Sequence, residues 1–500
     1  MFVLINIRST DRRKNIFPLG LAYIAACFEK YEKVKVFDLH YKNNMDELYS
    51  LMTMETVKFV GFSVCSSAES MYNCASIAKS IKRISPATII GIGGPHPTYQ
   101  GREIMARHLE FDVAMVGEGE LAATQIGENL HMGRAFYENV NNIIYRDVTN
   151  EIIVSAPKKN DVYLLPARHL FSSCREYSDK FNVKYPVICV ESTRGCVGRC
   201  SFCALKLDPT KSYVRKDLNL FYEDLRQTLT SQELDTVDLF IVDADFLVSK
   251  ARALEIIDII KKFPQIRYFN IASCTDSILR AKDILDDLFE AGCSYIEIGV
   301  ESFSQQQLER YGKRATVETS IEAIELLQEK QKKYSFSYKI DIILFEPFST
   351  MEDIMISNEY LQKYTYGNTL NENNFFHYMD LFPGTKYRAM AEEAGLSVAA
   401  SEMDIPYWRF KDDRVCQLYQ YVPLFVQNIY DGKEEIEQKV SERIQQTDCK
   451  NLFYIRDMRF LRTIAYDWFN DMVRSDSSQY RVIYEKYLKL YEQIKSKYNT

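Results

Sequence analysis

Along the first ~165 residues, short β-rich apolar runs alternate with longer stretches of helical periodicity. The runs are MFVLINI, KVKVFDL, VKFVGFSVC, ATIIGIGG and FDVAMVGEGE. PLGLAYIAACFEKY and SMYNCASIAKSIKRI read as helices between them, with Pro18 suited to a first helical turn. Strands separated by helices of this length predict a parallel, doubly wound sheet. A transition from about Ile143 to Tyr185 follows. A second β/α series then opens at PVICVES and continues through VDLFIVDAD, IRYFNIAS, SYIEIGVES, SYKIDIILF and FFHYMDLF. Helical runs such as ARALEIIDIIKKF and VETSIEAIELLQEK separate these strands, and six βα units predict a partial TIM-like (β/α)6 barrel. The last ~100 residues are rich in Tyr, Phe and charge, and NLFYIRDMRFLRTIAYDWFNDMV predicts a mainly helical region. The expected division is therefore α/β domains at 1–142 and 186–398, a linker at 143–185 and a helical domain at 399–500.

Composition narrows the function classes. A 500-residue chain with 46% hydrophobic and 26% charged residues is globular and multi-domain. A net charge of −7 gives no global sign of nucleic-acid binding. The aromatic and basic stripe near the C-terminus is open to that reading, but a helix-packing face is favoured. No apolar run approaches the ~18 residues a membrane helix needs. The N-terminus is apolar first and basic second, the reverse of a secretory signal, so a cytoplasmic location is expected. Twelve cysteines in such a chain argue against a disulfide scaffold. Most sit singly in apolar stretches, where a small buried hydrophobe is the default.

One group has ligand spacing: Cys196, Cys200 and Cys203, C-x3-C-x2-C in ESTRGCVGRCSFCALK, just after a strand. Three thiolates on one loop can each bind one iron of a four-iron cubane, leaving the fourth iron open. Gly195 and Gly198 allow the loop to fold tightly, and Phe202 can shield the cluster from water. The competing readings are structural zinc and coincidence. Zinc wants four ligands, and the only nearby fourth candidate, Cys189, falls within the strand.

The triplet and its surroundings, over roughly residues 185–395, resemble the radical S-adenosylmethionine (SAM) superfamily. The resemblance implies a [4Fe–4S] cluster whose open iron chelates SAM, and reductive cleavage of SAM to a 5′-deoxyadenosyl radical. VDADF matches an acidic pair, which implies that Asp243 and Asp245 hold the SAM amino group or line the site; ordinary strand-end turn carboxylates remain the alternative. GVES implies a ribose contact for Glu301 with Ser302 close by, and Phe202 joins the SAM-site residues. FPGT at Phe382–Thr385 fits the usual last-strand turn, whereas LFEPFS departs from the family's Gly-Pro-Gly-like pattern and leaves the adenine contacts unassigned.

FPLGLAYIAA, GFSVCSS, GIGGPHPT and DVAMVGEGE, in that order, resemble the cobalamin (B12)-binding modules fused to many radical SAM enzymes. The implied cobalamin contacts are Ser63, Cys65, Ser66, Gly93, Gly94, Pro95, His96, Gly117, Glu118 and Gly119. His96 is expected to pack against the cofactor edge. Asp38-Leu39-His40 imitates the start of a cobalt-ligating D-x-H-x-x-G signature, but it follows the second strand and position 43 is Asn, so His40 reads as a loop histidine. A module that keeps the fold without the cofactor is the alternative.

Together these resemblances imply a cobalamin-dependent radical SAM methyltransferase acting on an unactivated carbon of a small-molecule or peptide substrate. An external one-electron reductant of the flavodoxin or ferredoxin type is implied as a partner. A non-methylating cyclisation, ring contraction or rearrangement, and a non-catalytic iron–sulfur or cobalamin regulator, remain the alternatives. Tyr407, Trp408 and Phe410 are read as core aromatics before substrate-lining ones, and Cys274 and Cys293 as inert thiols before hydrogen-atom donors.

Overall fold

The computed structural model describes residues 1–7, 17–39, 41–42, 44–64, 68–180, 184–206, 213–398, 407–446 and 452–498. The first unit runs β1 (Phe2–Asn6), α1 (Leu19–Glu29), β2 (Val34–Asp38), α2 (Met45–Met54), β3 (Phe59–Ser63), α3 (Ala68–Ile84), β4 (Ile89–Gly93), α4 (Pro95–Arg107), β5 (Val113–Met115) and α5 (Glu120–His131). Strand order is β2-β1-β3-β4-β5, all parallel, so the order reverses between β1 and β3 and a crevice opens at the carboxyl ends there. In β1, Val3 and Ile5 enter one core and Phe2 and Leu4 the other, which is why its sequence is a continuous apolar run.

The expected linker is partly sheet. β6 (Ile143–Arg146) and β7 (Ile152–Val154) add to the open edge of β5 as antiparallel strands. They hold only four and three residues, too few for a clear periodicity, and they cover an edge that would otherwise expose unpaired backbone. Ahead of α6 (Cys174–Lys180), Arg168 from the same segment is buried against the next unit, donating to both Asp224 carboxylate oxygens at 2.8 and 3.1 Å.

That unit contains β8 (Val187–Val190), a two-residue β9 (Thr193–Arg194) paired with β10 (Val214–Arg215), α7 (Leu218–Ser231), β11 (Val237–Ile241), α8 (Lys250–Ile260), β12 (Ile266–Cys274), α9 (Thr275–Arg280), α10 (Leu285–Glu290), β13 (Cys293–Glu301), α11 (Gln305–Tyr311), α12 (Val317–Gln331), β14 (Ser337–Ile342) and α13 (Met351–Thr365). β8, β11, β12, β13 and β14 form a parallel sheet in that order. FFHYMDLF, expected as a full sixth strand, is reduced to one parallel bridge, Phe345 to Tyr378. Side chains replace it along β14: Ile340 N–H donates to Asn371 Oδ1 at 2.8 Å, Ile342 N–H to Asn374 Oδ1 at 3.1 Å, and Asn374 Nδ2 to the Ile340 carbonyl at 2.7 Å.

α14 (Lys386–Glu393), the short ribbon β15 (Ser397–Val398) with β16 (Tyr407–Trp408), and α15 (Asp413–Tyr419), α16 (Tyr421–Phe425), α17 (Asp431–Gln446), α18 (Leu452–Val473) and α19 (Tyr480–Tyr498) complete the chain. On α18, Leu461, Ile464, Ala465, Trp468, Phe469 and Met472 are fully buried, so the aromatic stripe is a packing face. Trp408 is also core, its indole donating to the Met379 carbonyl at 2.8 Å. No helix among the described residues is long and apolar enough to cross a membrane.

Candidate active site

The cysteine loop leaves β9 through Gly195, which takes a left-handed φ of +74°. It is held from behind by the end of α11. Ser201 N–H donates to the Tyr311 carbonyl at 2.7 Å, and Ser201 Oγ to the Arg310 carbonyl at 2.8 Å. Phe202 packs edge-on against Tyr311, with centroids 5.3 Å apart. Gly198 N–H donates to Cys196 Sγ at 3.3 Å, and a Cβ at Gly198 would lie 3.3 Å from that sulfur and 3.9 Å from Cys200 Sγ. Cys196, Cys200 and Cys203 are half-buried thiols. Burial pushes the Cys200 thiol up to about 11, with Lys313 opposing and Glu301, Cys203 and Cys196 adding to the rise. Among the described residues no three metal-ligating side chains converge as they would on a single ion. A cubane makes no such demand, since each thiolate takes a different iron. Cys189 is buried within β8 in the cluster of Phe17 and Tyr177, so it supplies no fourth ligand to this loop.

Both acidic candidates are engaged elsewhere. Asp243 is buried and accepts from Ser192 N–H and Oγ at 2.7 and 2.5 Å and from Thr193 N–H and Oγ1 at 3.0 and 2.8 Å. Burial raises its carboxyl and these four donors act against the rise. Through these four bonds it anchors the approach to the cysteine loop. Asp245 accepts from Ser273 Oγ at 2.7 Å, Cys274 N–H at 3.2 Å, Ser277 Oγ at 2.8 Å and Arg314 at 3.3 Å. Both carboxylates thus stand as hydrogen-bonded acceptors in the turn that follows β11. Ser302 is likewise internal, donating to Gln307 Oε1 at 2.6 Å. Asp243→Ala would leave two N–H and two hydroxyl donors without their acceptor, a loss of about 3–5 kcal/mol. Denaturant unfolding should show a lowered midpoint at unchanged slope.

Glu301 faces the loop. The ladder between β13 and β14 shifts at Gly299/Glu301, and Glu301 takes φ +69°, a bulge that re-aims its side chain. Lys313, one residue beyond the left-handed Gly312 that closes α11, donates to Glu301 Oε1 at 2.9 Å and lies 4.0 Å from Cys274 Sγ. Burial disfavours its ammonium, but Glu301 and the thiols of Cys274 and Cys200 more than reverse this and hold it above the ordinary lysine range. Sequence reasoning missed Lys313. RYGKR looks like an ordinary helix end, and only the glycine before the lysine marks the turn. The divergent LFEPFS segment buries Glu346, which accepts from Arg310 at 2.8 Å, Tyr387 Oη at 2.5 Å and Phe348 N–H at 2.6 Å.

A cavity of about 660 Å³ lies between the carboxyl edge of the first sheet and this loop. That volume falls within the ~300–1,000 Å³ of small-molecule and cofactor sites. Its sheet side includes Ser63, Gly93, Gly94, Pro95, Gly117, Glu118 and Gly119, and its barrel side Glu191, Arg194, Gly195, Leu205, Val242 and Ala244. Gly94 on its floor has φ +111°, and a Cβ there would sit 2.6 Å from the Val64 carbonyl oxygen, so only glycine fits against the end of β3 at this point. Cys65, Ser66 and His40 lie outside the described residues. His96 departs from its expected place. It follows Pro95 at the start of α4, turns inward, and its Nε2 lies 2.8 Å from Gln100 Oε1, so Pro95 and not His96 lines the cavity. Gly94→Ala combines a strained φ with a backbone clash costing about 1–3 kcal/mol or more. Metal analysis should find cobalt lost and iron kept.

The fold and site thus define a two-part α/β protein, a corrinoid-type sheet facing a barrel with an open-iron cysteine loop. Residues 190–356 match the radical SAM superfamily model and residues 7–126 the B12 binding domain model. The chain belongs to the cobalamin-binding-domain radical SAM enzymes, whose cofactors are a [4Fe–4S] cluster, SAM and cobalamin. It is 26% identical over 352 residues, 69% of its length and 73% of the relative's, to an uncharacterized methyltransferase, PH0819, of Pyrococcus horikoshii. It is also 26% identical to the hopanoid C-3 methylase of Methylococcus capsulatus, over 62% of this chain and 58% of that one. Among solved structures, the cobalamin-dependent SAM radical enzyme OxsB, with aqua-cobalamin and SAM bound, superposes with a TM-score of 0.75 at 16% identity, covering 98% of this chain and 75% of OxsB.

Proposed function

We propose that the protein is a methyltransferase that uses cobalamin and radical SAM chemistry to methylate an unactivated carbon of a small molecule or peptide, drawing electrons from an external one-electron reductant. The single observation that carries this reading is the shared cavity, bounded on one side by the glycine loops and on the other by the chain leading into the cysteine triplet. The cofactors supply radical hydrogen abstraction and methyl delivery to a carbon that has no lone pair. The protein's part is orientation and exclusion of water. Cys196, Cys200 and Cys203 hold the cluster, and Phe202 on Tyr311 screens it. Lys313 keeps a positive charge beside Cys200, suited to the anionic cluster and to the carboxylate of SAM. Ser63, Gly93, Gly94, Pro95, Gly117, Glu118 and Gly119 cradle the corrinoid.

The test is stoichiometric. Methyl transfer requires one 5′-deoxyadenosine and one S-adenosylhomocysteine per methylated product. 5′-Deoxyadenosine without S-adenosylhomocysteine would replace methyl transfer by rearrangement or cyclisation. The latter reading has its own support in the 22% identity, over 270 residues, to the anaerobic magnesium-protoporphyrin IX monomethyl ester cyclase of Rubrivivax gelatinosus.

A further inference from the structure

Arg194 stands where the two halves meet. It ends β9, two residues before Cys196, and its side chain is only 15% exposed. One edge of the guanidinium is fixed by its own unit: Nε donates to Glu191 Oε1 at 2.8 Å, with Nη2 2.7 Å from the same oxygen. The other corner reaches across the cavity wall, Nη1 lying 2.6 Å from Glu120 Oε1 and 3.5 Å from Glu118 Oε2. Those two glutamates flank Gly119, Glu118 in the loop that follows β5 and Glu120 at the first position of α5. The guanidinium also lies over the ring of Tyr23 on α1, 4.9 Å from its centroid, while Lys216 Nζ donates to the Tyr23 hydroxyl at 2.6 Å.

One cation therefore faces three carboxylates, all at least 86% shielded by the side-chain exposures of 13%, 7% and 14% for Glu118, Glu120 and Glu191. Stability alone is a poor reason for such a cluster, since apolar residues of similar volume often serve as well. A rigid planar fork does what apolar packing does not: it fixes a direction as well as a contact. Both loops gripped by the fork line the cavity.

We infer that Arg194 is a positioning residue that sets the separation and orientation of the glycine loop at 117–119 relative to the cluster loop beginning at Cys196. The inference rests on the two-cofactor reading above and deepens it. Arg194→Lys keeps the charge and loses the fork. Arg194→Met removes both, and Glu120→Gln loosens the same clamp from the opposite side.

The experiment uses the full chain reconstituted with its cluster and cobalamin. Reduced cluster and cob(II)alamin are both paramagnetic, so the magnetic interaction between them reads their separation and relative orientation by electron paramagnetic resonance. The wild-type protein should give one defined interaction. Arg194→Met and Glu120→Gln should retain about four irons and one cobalt yet spread that interaction over a range, with Arg194→Lys between them. Optical titration of the iron-loaded protein with aquacobalamin should show binding weakened about tenfold in Arg194→Met. Wild-type interaction and affinity in both Arg194→Met and Glu120→Gln would overturn the inference. So would loss of both metals in Arg194→Met with Glu120→Gln unchanged, which would make Arg194 a fold element. A wild-type protein that takes up iron but no cobalt would instead sink the two-cofactor reading, and the inference with it.

Discussion

Cys200→Ala is expected to leave a folded protein without a stable [4Fe–4S] cluster and to lower reductive SAM cleavage by about 10³-fold or more, a barrier increase of at least about 4 kcal/mol. Cys200 suits this prediction because its thiol is raised by burial beside Lys313, Glu301 and the other two cysteines. Iron binding converts that unfavourable buried thiolate into a ligand, so the loop gains from the cluster what it lacks alone. The fold should survive, because the loop is anchored through Ser192, Thr193 and Ser201 and not through the sulfur. Iron content, the visible absorbance of the cluster and 5′-deoxyadenosine formed under dithionite check the prediction. Near wild-type iron and cleavage in Cys200→Ala would remove the triplet from its assigned role.

Lys313→Met is expected to separate cluster assembly from chemistry. The lysine is no cluster ligand, so about four irons should remain. It is the buried cation beside Glu301, Cys274 and Cys200, held above the ordinary lysine range, and its loss removes a fixed positive charge from the place where anionic groups gather. Loss of one preorganised charge of this kind costs about 10²–10³-fold in rate. SAM cleavage should fall by about 10²-fold with a raised KM for SAM, while Lys313→Arg recovers part of the rate. Loss of iron in parallel with activity would make Lys313 a structural support of the loop. An unchanged KM and rate would remove it from the SAM site.

The parts of this architecture legible in the sequence are those with local causes. FVLIN reads as a central strand because both of its faces are buried, and the alternation SYKIDI reads as a half-buried one. The cysteine spacing and the glycines after β4 and β5 carry their chemistry in short segments. What stayed hidden depends on distant partners. Nothing in VDADF shows that Ser192 and Thr193 donate to Asp243, or Ser273 and Ser277 to Asp245. The sixth barrel strand is reduced to one bridge, and Asn371 and Asn374 complete β14 in its place, an exchange no periodicity reveals. Lys313 and Arg194 look like surface charges in RYGKR and STRGC, and acquire roles only through Glu301 and Glu120, which are remote or belong to the other unit.

The central claim is that one chain presents a cluster loop and a corrinoid cradle to the same cavity. The most direct measurement is iron and cobalt content after anaerobic purification from cells supplied with cobalamin. About four irons and one cobalt per chain are expected, with Gly94→Ala losing only the cobalt; iron without cobalt in the wild-type protein would contradict a shared cavity for the two cofactors.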